Sequence, residues 1–219
     1  MIITIDGPAG SGKSTLAKNL AKRLGLMYLN TGATYRAIAL AAKRAGLDEC
    51  HPSELATLAE GSNVELQVEA DELCVFLDGE DVTNAIQTAE ISDLASRIST
   101  LPQVRRALVS LQRRIASGKN VVSEGRDTGT IVFPHADLKI YLDASINERA
   151  RRRSGDWVGN IDLEKIKYEI AMRDDRDRTR CDSPLRVAEG AVIIDSTTTQ
   201  PEDVVELAIN AMRARGLLP

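Results

Sequence analysis

The chain has 219 residues, of which 43% are hydrophobic and 27% charged, and its formal net charge is −4. These proportions are typical of a globular protein, and its apolar runs are far shorter than the ~20 residues that span a bilayer, which excludes a membrane-spanning protein. A strand pattern begins at once, without a charged, then apolar, then small-residue leader, so we expect no targeting segment.

The numbers and positions of cysteine, histidine and arginine limit the kinds of site that the chain is expected to contain. The three cysteines are widely spaced and odd in number, which predicts neither a disulfide framework nor a zinc site and favours a reducing cytoplasm. With only two histidines in the chain, we do not expect histidine-based acid–base catalysis. Residues 149–186 hold nine Arg and two Lys against eight Asp or Glu, a local charge of +3 that leaves −7 for the remainder. This concentration indicates a small, multiply charged anion as the partner and not a nucleic acid polymer.

The first predicted strand, Ile2–Ile5, runs into the glycine-rich stretch GPAGSGKST at residues 7–15. Leucines then recur every four residues, which predicts a helix with one buried stripe from Lys13 to a stop at Gly25. The pattern Gly-x-x-x-x-Gly-Lys-Ser between a strand and a helix is typical of a phosphate-binding loop.

Each part of this loop has a physical role. Glycines let backbone N–H groups converge on one anion, and the N-terminus of the following helix adds its positive dipole end. The ammonium of Lys13 can reach the β- and γ-phosphates of a nucleoside triphosphate, while the hydroxyl of Ser14 suits Mg²⁺. We therefore predict a nucleotide phosphate site made of Gly7, Pro8, Ala9, Gly10, Ser11, Gly12, Lys13, Ser14 and Thr15.

The next segment changes character along the chain. A short strand at Met27–Leu29 is followed by a predicted helix from Tyr35 to Gly46. Between residues 63 and 87, apolar residues alternate with polar ones in two runs, which predicts a small antiparallel sheet set into an otherwise α/β chain.

Helices and strands alternate through the remainder. We predict helices at about 88–100 and 103–117, strands at 120–123, 138–142 and 191–195, helices near 146–153 and 162–179, and a final helix after residue 199. Ser145 with Glu148, and Thr199 with Glu202, are predicted to cap the helices that they precede. This alternation predicts an α/β fold with a parallel sheet covered on both faces, in which ligands bind beyond the carboxyl ends of the strands.

Two arginine patterns follow the predicted strand at 138–142. In RDDRDRTR, residues 173–180, the side chains of Arg173, Asp177 and Arg180 share one helix face. Spacing alone equally suits a solvated helix with ion pairs such as Asp174–Arg178. Arg149 and Arg153 share another helix face before the glycine-containing loop 154–159, which favours a lid over phosphates but also suits a basic surface run.

Two further motifs stand at strand ends. EGRDTGT, residues 124–130, places Arg126 and Asp127 after a predicted buried strand, and NTGATYR, residues 30–36, places Thr31 and Arg36 after another.

With the phosphate-binding loop, TGATYR, EGRDTGT, VFPHADLKIYLDAS and RDDRDR in this order, the chain resembles the bacterial cytidylate kinases over essentially its whole length. The resemblance implies a three-layer P-loop fold with a central parallel five-stranded sheet. It implies a core at 1–34, 88–148 and 180–219, a monophosphate-binding region at 35–87 with the β insert at 63–87, and a lid at 149–179.

The resemblance also implies an activity and its residues. The γ-phosphoryl group of ATP would pass to CMP or dCMP, with Mg²⁺ held by Ser14, waters and phosphates, and with Glu124 acting on the metal through water. The residues implied for catalysis are Lys13, Arg126, Arg180, Arg149 and Arg153. Those implied for acceptor binding are Arg36, Arg126 and Arg180 for the phosphate, Ser96, Arg105 and Asp127 for cytosine, Arg173 and Asp177 for the sugar, and Thr31. We expect a cytoplasmic monomer that binds ATP and CMP or dCMP and neither membranes nor nucleic acid polymers.

Other readings of the same residues stay open. A kinase acting on UMP or AMP shares the phosphate-binding loop, and a kinase of a small hydroxyl compound would use Asp127 or Glu124 as its base. A GTPase switch is disfavoured because the guanine-reading N-K-x-D is absent from the sequence. A pure nucleotide-binding module would bind ATP but form no ADP with any acceptor.

Overall fold

The computed structural model of the chain describes residues 1–69, 72–155 and 162–218. In chain order its strands are β1 (Ile2–Asp6), β2 (Met27–Asn30), β3 (Val64–Glu69), β4 (Glu72–Leu77), β5 (Glu80–Asp81), β6 (Val121–Gly125), β7 (Leu138–Asp143) and β8 (Val192–Asp195). Its helices are α1 (Lys13–Leu24), α2 (Thr31–Arg44), α3 (Pro52–Gly61), α4 (Ala89–Ile98), α5 (Pro102–Ala116), α6 (Ile146–Ser154), α7 (Leu163–Thr179) and α8 (Pro201–Ala214). A 3₁₀ turn at Ala85–Gln87 and a π-helical turn at Thr128–Val132 complete the described elements.

The chain divides into two compact units. The first comprises Met1–Tyr28 together with Lys119–Pro219, and the second comprises Leu29–Gly118. The second unit therefore includes α4 and α5, which the expected functional division counts with the core; that division stays a prediction.

The five-stranded sheet confirms the predicted parallel architecture. Its five strands run in the order β2-β6-β1-β7-β8, with Ile3 of β1 opposite Val122 on one side and Leu138 on the other. β1 lies at the centre and is buried along Ile3–Asp6. A parallel strand covered on both faces has no solvent side, which explains why β1 is rich in isoleucine and does not alternate with exposed polar residues.

Helix α1 lies where the leucine spacing predicts it. It buries its apolar stripe and packs on β6 and α8. Gly25 ends the helix in the left-handed conformation at φ 63°, and its N–H group donates to the carbonyls of Ala21 and Lys22. Glycine suits this position because it has no Cβ to strain the left-handed backbone.

The turn between β1 and α1 requires glycine at its first position. A Cβ on Gly7 would lie 2.0 Å from the carbonyl oxygen of Leu142 in β7. The loop thus starts in direct contact with the neighbouring strand, and this contact directs the backbone towards α1.

Helices α6 and α7 pack on each other through a small apolar cluster of Ala150, Ile166 and Ile170. As predicted, Ser145 caps α6 by accepting the N–H of Glu148 at 3.3 Å. The predicted loop at 154–159 lies mostly outside the described residues.

The second unit contains the predicted antiparallel insert. Its sheet has the order β3-β4-β5, and Val64 is opposite Leu77. Within the same unit, α2 packs on α4 and α3 packs on α5.

One helix boundary, one missed helix and one cap differ from the sequence-based expectation. Helix α2 starts at Thr31, and not near Tyr35, because the side chain of Asn30 accepts the N–H of Ala33 at 2.8 Å. Helix α3 was not predicted, although Pro52 at its first position is a typical start signal. Helix α8 is capped by Gln200 without a side-chain hydrogen bond, so the predicted Thr199–Glu202 cap was wrong.

No helix in the described ranges is long and apolar enough to cross a membrane.

Replacing Gly7 by alanine should destabilise the fold, because the new Cβ would lie 2.0 Å from a backbone carbonyl oxygen. We expect the free energy of unfolding, measured in urea, to fall by about 3 kcal/mol, the upper part of the range for overpacking. Gly61→Ala is the matched control, since nothing lies within 4 Å of its added Cβ, and it should leave stability unchanged or slightly raised. Equal losses in both variants would contradict the close-contact explanation.

Candidate functional site

A cavity of about 650 Å³ opens beside the glycine-rich loop. Its walls come from residues 10–16 of the loop and α1, residues 151–153 of α6, and residues 196–201 between β8 and α8. Six of the nine predicted phosphate-loop residues, 10–15, line this cavity, as does the predicted lid residue Arg153. The cavity therefore joins the phosphate-binding backbone to the arginine-rich helix.

The ammonium of Lys13 lies folded over its own loop. Its Nζ donates to the carbonyl of Pro8 at 2.6 Å and to the hydroxyl of Ser11 at 3.4 Å. Burial and, to a smaller extent, the positive charges of Arg126 and Arg173 lower the pKa of Lys13 to about 7, although the negative charge of Glu124 opposes the shift. An anion in the loop would restore a fully charged ammonium, because it would offset both effects.

Arg152 bridges two walls of the cavity. Its guanidinium donates to the carbonyl of Ser11 at 3.3 Å and to the hydroxyl of Ser196 at 3.0 Å, and its Nε donates to Glu148 at 2.9 Å. Hydrogen bonds from Arg151 and Arg152 lower the pKa of Glu148 to about 2. The sequence did not single out Arg152, because a run of consecutive arginines gives no sign of which one faces the loop.

The tip of the loop is held by a buried ion pair. Asp174 of α7 accepts the N–H of Ala9 at 3.0 Å, and Arg149 of α6 donates to the carbonyl of Ala9 at 3.0 Å. Arg149 and Asp174 also pair directly, with 7% and 4% of their side chains exposed. The pair therefore clamps both sides of one residue, and Arg149, expected as a lid arginine, lies under the loop.

Asp174 pairs with Arg149, although its spacing in the sequence suggested Arg178 as the partner. A signal for its burial was present in the sequence. The buried residues of α7 are Ile166, Ile170, Asp174 and Asp177. This spacing continues the apolar stripe of the helix into the acidic motif.

A second charged cluster joins α7 to the segment after β6. Arg126 donates to Asp177 at 2.9 Å, and Arg180 lies 3.5 Å from the other oxygen of Asp177 and 3.7 Å from Asp127. Although burial opposes the shift, the charges of Arg126, Arg180 and Arg173 hold the pKa of Asp177 below its usual value. Five predicted site residues thus belong to one electrostatic cluster, and its arginines Arg126 and Arg173 also act on Lys13.

Oxygen donors suited to a hard cation stand at the carboxyl edge of the sheet. Glu124 in β6 is buried and lies opposite Ile5 of β1 in the register, one residue before the loop-bearing end of that strand. Tyr28 donates to its carboxylate at 2.5 Å. This carboxylate and the Ser14 hydroxyl on the first turn of α1 are oxygen donors of the kind that Mg²⁺ takes, since it binds one or two protein oxygens plus waters and phosphates. In the part of the chain that the structure describes, no group of three or more His, Cys, Asp or Glu residues could hold a metal ion. Waters and phosphates would therefore have to supply the other ligands.

The remaining predicted site residues lie in the second unit. Arg105 of α5 is 2% exposed and donates to the carbonyl of Ser99 at 3.0 Å. Its guanidinium lies 5.6 Å from the ring centroid of Tyr35. Ser96 is buried on α4. A buried arginine held by a carbonyl and an aromatic ring has a defined orientation, which a flexible surface residue lacks.

Thr31 and Arg36 lie on the first two turns of α2. The carbonyl of Thr31 accepts the hydroxyl of Thr34 at 2.7 Å, and Thr34 in turn accepts the buried amide of Gln112 at 3.0 Å. The Thr31 turn is therefore anchored to α5 within the second unit.

Comparison with known proteins agrees with these features. A family model described as cytidylate kinase matches residues 3–214. The chain is 46% identical over 220 residues to a protein of Solibacter usitatus named cytidylate kinase, covering 98% of this chain and 93% of that relative. It is 45% identical over 217 residues to one of Vibrio cholerae with the same name, covering 98% and 96%.

Solved structures with a similar fold are more distant in sequence. A shikimate kinase from Bacteroides thetaiotaomicron superposes with a TM-score of 0.52 at 13% identity, covering 97% of this chain and 98% of that one. An uncharacterized protein from Eubacterium ventriosum gives 0.52 at 12% identity, covering 98% of each chain. At this distance the likeness establishes the fold alone.

Removing Asp174 should release the tip of the loop. In Asp174→Ala the buried guanidinium of Arg149 loses its counter-charge and the Ala9 N–H loses its acceptor, so we expect the free energy of unfolding to fall by about 3 kcal/mol or more. Asp175→Ala, one residue along and exposed, should change stability by less than about 0.5 kcal/mol. Urea unfolding measures both, and a neutral Asp174→Ala would contradict the clamp.

Proposed function

Because the chain belongs to the cytidylate kinase family, we infer that it transfers the γ-phosphoryl group of ATP to CMP or dCMP, giving ADP and CDP or dCDP. The observation that carries this inference is electrostatic. Arg126 and Arg173, from the segment after β6 and from α7, both act on the pKa of the loop lysine Lys13. Phosphoryl transfer between two nucleotides needs such a convergence of cations, because two polyanions must approach each other.

The nucleophile in this reaction needs no catalytic base. It is a phosphate oxygen of the acceptor, and a phosphate monoester has its second pKa near ~6, so it is mostly deprotonated at neutral pH. The protein's task is to bring the two phosphate chains together and to stabilise the charge that spreads over the transferring group. We propose that Lys13, Arg126, Arg180, Arg149 and Arg153 perform it, with Arg149 acting through the position of Ala9.

The donor nucleotide is proposed to bind at the loop, residues 7–15, with its nucleoside in the adjoining cavity. The volume of about 650 Å³ lies within the range of pockets that enclose small ligands. Arg153 lines this cavity and Arg152 crosses its wall, so both guanidinium groups can reach the polyphosphate chain.

Mg²⁺ is proposed to accompany ATP, held by Ser14 directly and by Glu124 through water. When bound, it would supply positive charge to the phosphate oxygens. The chain's own contribution is to present one hydroxyl and one buried carboxylate, whose position is fixed by the hydrogen bond from Tyr28.

The acceptor is proposed to contact Arg36, Arg126 and Arg180 through its phosphate, Arg173 and Asp177 through its sugar, and Ser96, Arg105 and Asp127 through cytosine, with Thr31 beside them. Asp127 can accept from the cytosine amino group and Arg105 can donate to the ring acceptors. A site with these groups discriminates against another base, because its buried polar atoms would stay unpaired. From the sequence we further propose that the protein is a cytoplasmic monomer and that nucleic acid polymers are not among its partners.

One experiment tests the function. ATP and Mg²⁺ are incubated with the protein and one monophosphate at a time (CMP, dCMP, UMP, AMP or GMP), and ADP formation is followed. We expect CMP or dCMP to give the highest kcat/KM. A higher value with UMP or AMP would assign a different monophosphate kinase, and ADP formation only with a small hydroxyl compound would overturn nucleotide phosphorylation.

Binding of ATP should take up a proton at pH 8. With a pKa of about 7, Lys13 is mostly neutral at that pH, and the triphosphate should restore its charge. Calorimetry in two buffers of different ionisation enthalpy measures this uptake, which should approach one proton and vanish in Lys13→Met. Uptake that persists in the variant would assign the proton to another group.

At position 180, the planar shape of the guanidinium group should matter more for turnover than its positive charge. Arg180→Lys keeps a cation near Asp177 and Asp127 but loses the planar fork that meets two phosphate oxygens. We expect turnover with CMP to fall about 10²-fold or more, because an arginine on the transferring group is worth ~10³–10⁵. Arg126→Ala should likewise reduce turnover far more than stability.

Arg213→Lys, at an exposed position, is the control for position 180 and should change neither turnover nor stability. Near-normal kinetics of Arg180→Lys with a lowered Tm would make Arg180 a structural residue only.

A further inference from the structure

The backbone N–H groups at the start of the π-helical turn after β6 are capped by a residue that is distant in the sequence. Asp127 occupies the N-cap position of this turn, Thr128–Val132, yet its side chain makes no capping hydrogen bond. An aspartate at this position normally accepts N–H groups of the first turn through its own carboxylate. The N–H groups at the start of the turn must therefore find another acceptor.

Asp6, the last residue of β1, supplies that acceptor. One oxygen of its carboxylate accepts the N–H and the hydroxyl of Thr128, both at 2.8 Å, and the other accepts the N–H of Gly129 at 2.7 Å. Asp6 is 3% exposed, so these bonds are shielded from water. Three donors thus hold one buried carboxylate in a single orientation.

Gly129 permits this close approach. A Cβ at this position would lie 2.8 Å from the hydroxyl of Thr4 and 3.3 Å from the carboxylate of Asp6. A side chain here would push the turn away from β1 and lengthen the hydrogen bonds to Asp6. The glycine of the GRDTGT motif is therefore explained by Asp6, which lies 123 residues earlier in the chain.

We propose that Asp6 is a positioning residue for base recognition: by capping the turn from β1, it leaves the carboxylate of Asp127 available for the cytosine amino group. One carboxylate of Asp127 could not both cap its own turn and face the acceptor. In the structure it is directed towards Arg180, 3.7 Å away. The inference rests on the proposed function, in which Asp127 reads cytosine.

The surroundings of Asp6 disfavour its charged form. Burial raises the pKa of Asp6 to about 6, and the negative charge of Asp127 adds to the shift, although the hydrogen bonds from Gly129 and Thr128 oppose it. Since the folded pKa lies above the unfolded value, this group favours the folded state less as pH rises from about 4 to 6, and the loss persists above that window.

The test compares Asp6→Asn with the matched control Asp137→Asn. Asp137 also accepts a β1 backbone N–H, that of Ile2 at 2.7 Å, but at the opposite end of the strand. In Asp6→Asn an amide NH₂ replaces one acceptor oxygen, so one donor of the turn loses its partner. We expect the ratio of kcat/KM for CMP to that for UMP to fall about tenfold, and KM for CMP to rise, because hydrogen bonds to charged groups are worth that factor or more.

The same variant should leave KM for ATP within about threefold of the wild type, and Asp137→Asn should leave the CMP to UMP ratio unchanged. Retention of the ratio in folded Asp6→Asn, with only a lowered Tm, would overturn the proposal. An equal rise in KM for ATP and for CMP would also overturn it, because Asp6 would then act through the loop that it precedes. A wild type that prefers another monophosphate would overturn the proposed function and this inference with it. A wild type that prefers CMP, together with an Asp6→Asn variant that keeps this preference, would overturn this inference alone.

A second pair of variants keeps the test decisive if Asp6→Asn does not fold. Thr128→Val removes the hydroxyl that donates to Asp6 and keeps the size, whereas Thr128→Ser keeps the hydroxyl. We expect the CMP to UMP ratio to fall severalfold in the valine variant and clearly less in the serine variant. Equal ratios in the two variants would overturn the proposal.

Discussion

The candidate site depends on pairing buried guanidinium groups with buried carboxylates at the carboxyl edge of a parallel sheet. Arg149 pairs with Asp174, and Arg126 and Arg180 share Asp177. Taking these charges out of water costs several kcal/mol per ion unless each finds a counter-charge and hydrogen bonds. Each buried charge is therefore stabilised by its partners, which holds the guanidinium groups where the proposed polyanionic substrates would bind.

Four aspartates near this edge of the sheet make two different kinds of contact. Asp174 and Asp6 hold backbone N–H groups, the first at Ala9 in the phosphate-binding loop and the second at the turn that begins with Thr128. Asp177 and Asp127 instead face arginines that the proposed acceptor would meet. Two aspartates thus hold backbone segments in place, whereas the other two pair with arginines of the proposed acceptor site.

Residues whose role follows from local pattern could be predicted from the sequence. The phosphate-binding loop, α1 and the alternation in the insert have short-range causes: glycine geometry, a repeat of four, and a repeat of two. Helical spacing also predicted that Asp177 and Arg180 lie near each other, although Arg180 is the C-cap, one residue beyond the end of α7, and not part of the helix. Asp174 could have been found, because it continues the buried stripe of Ile166 and Ile170. Helix α3 was missed because its buried residues are few, namely Leu55 and Ala59.

The sequence by itself determined the fold class, the phosphate-binding loop and the set of arginines, because each depends on neighbours within about two helical turns. Only the tertiary structure decided which partner each charged side chain contacts. Asp6 contacts Gly129 from 123 residues away, and Arg152, unlike the arginines beside it, reaches Ser11 from a distance of 141 residues. Such choices depend on which strand ends and helix faces become neighbours, and a one-dimensional pattern of charges does not contain that information.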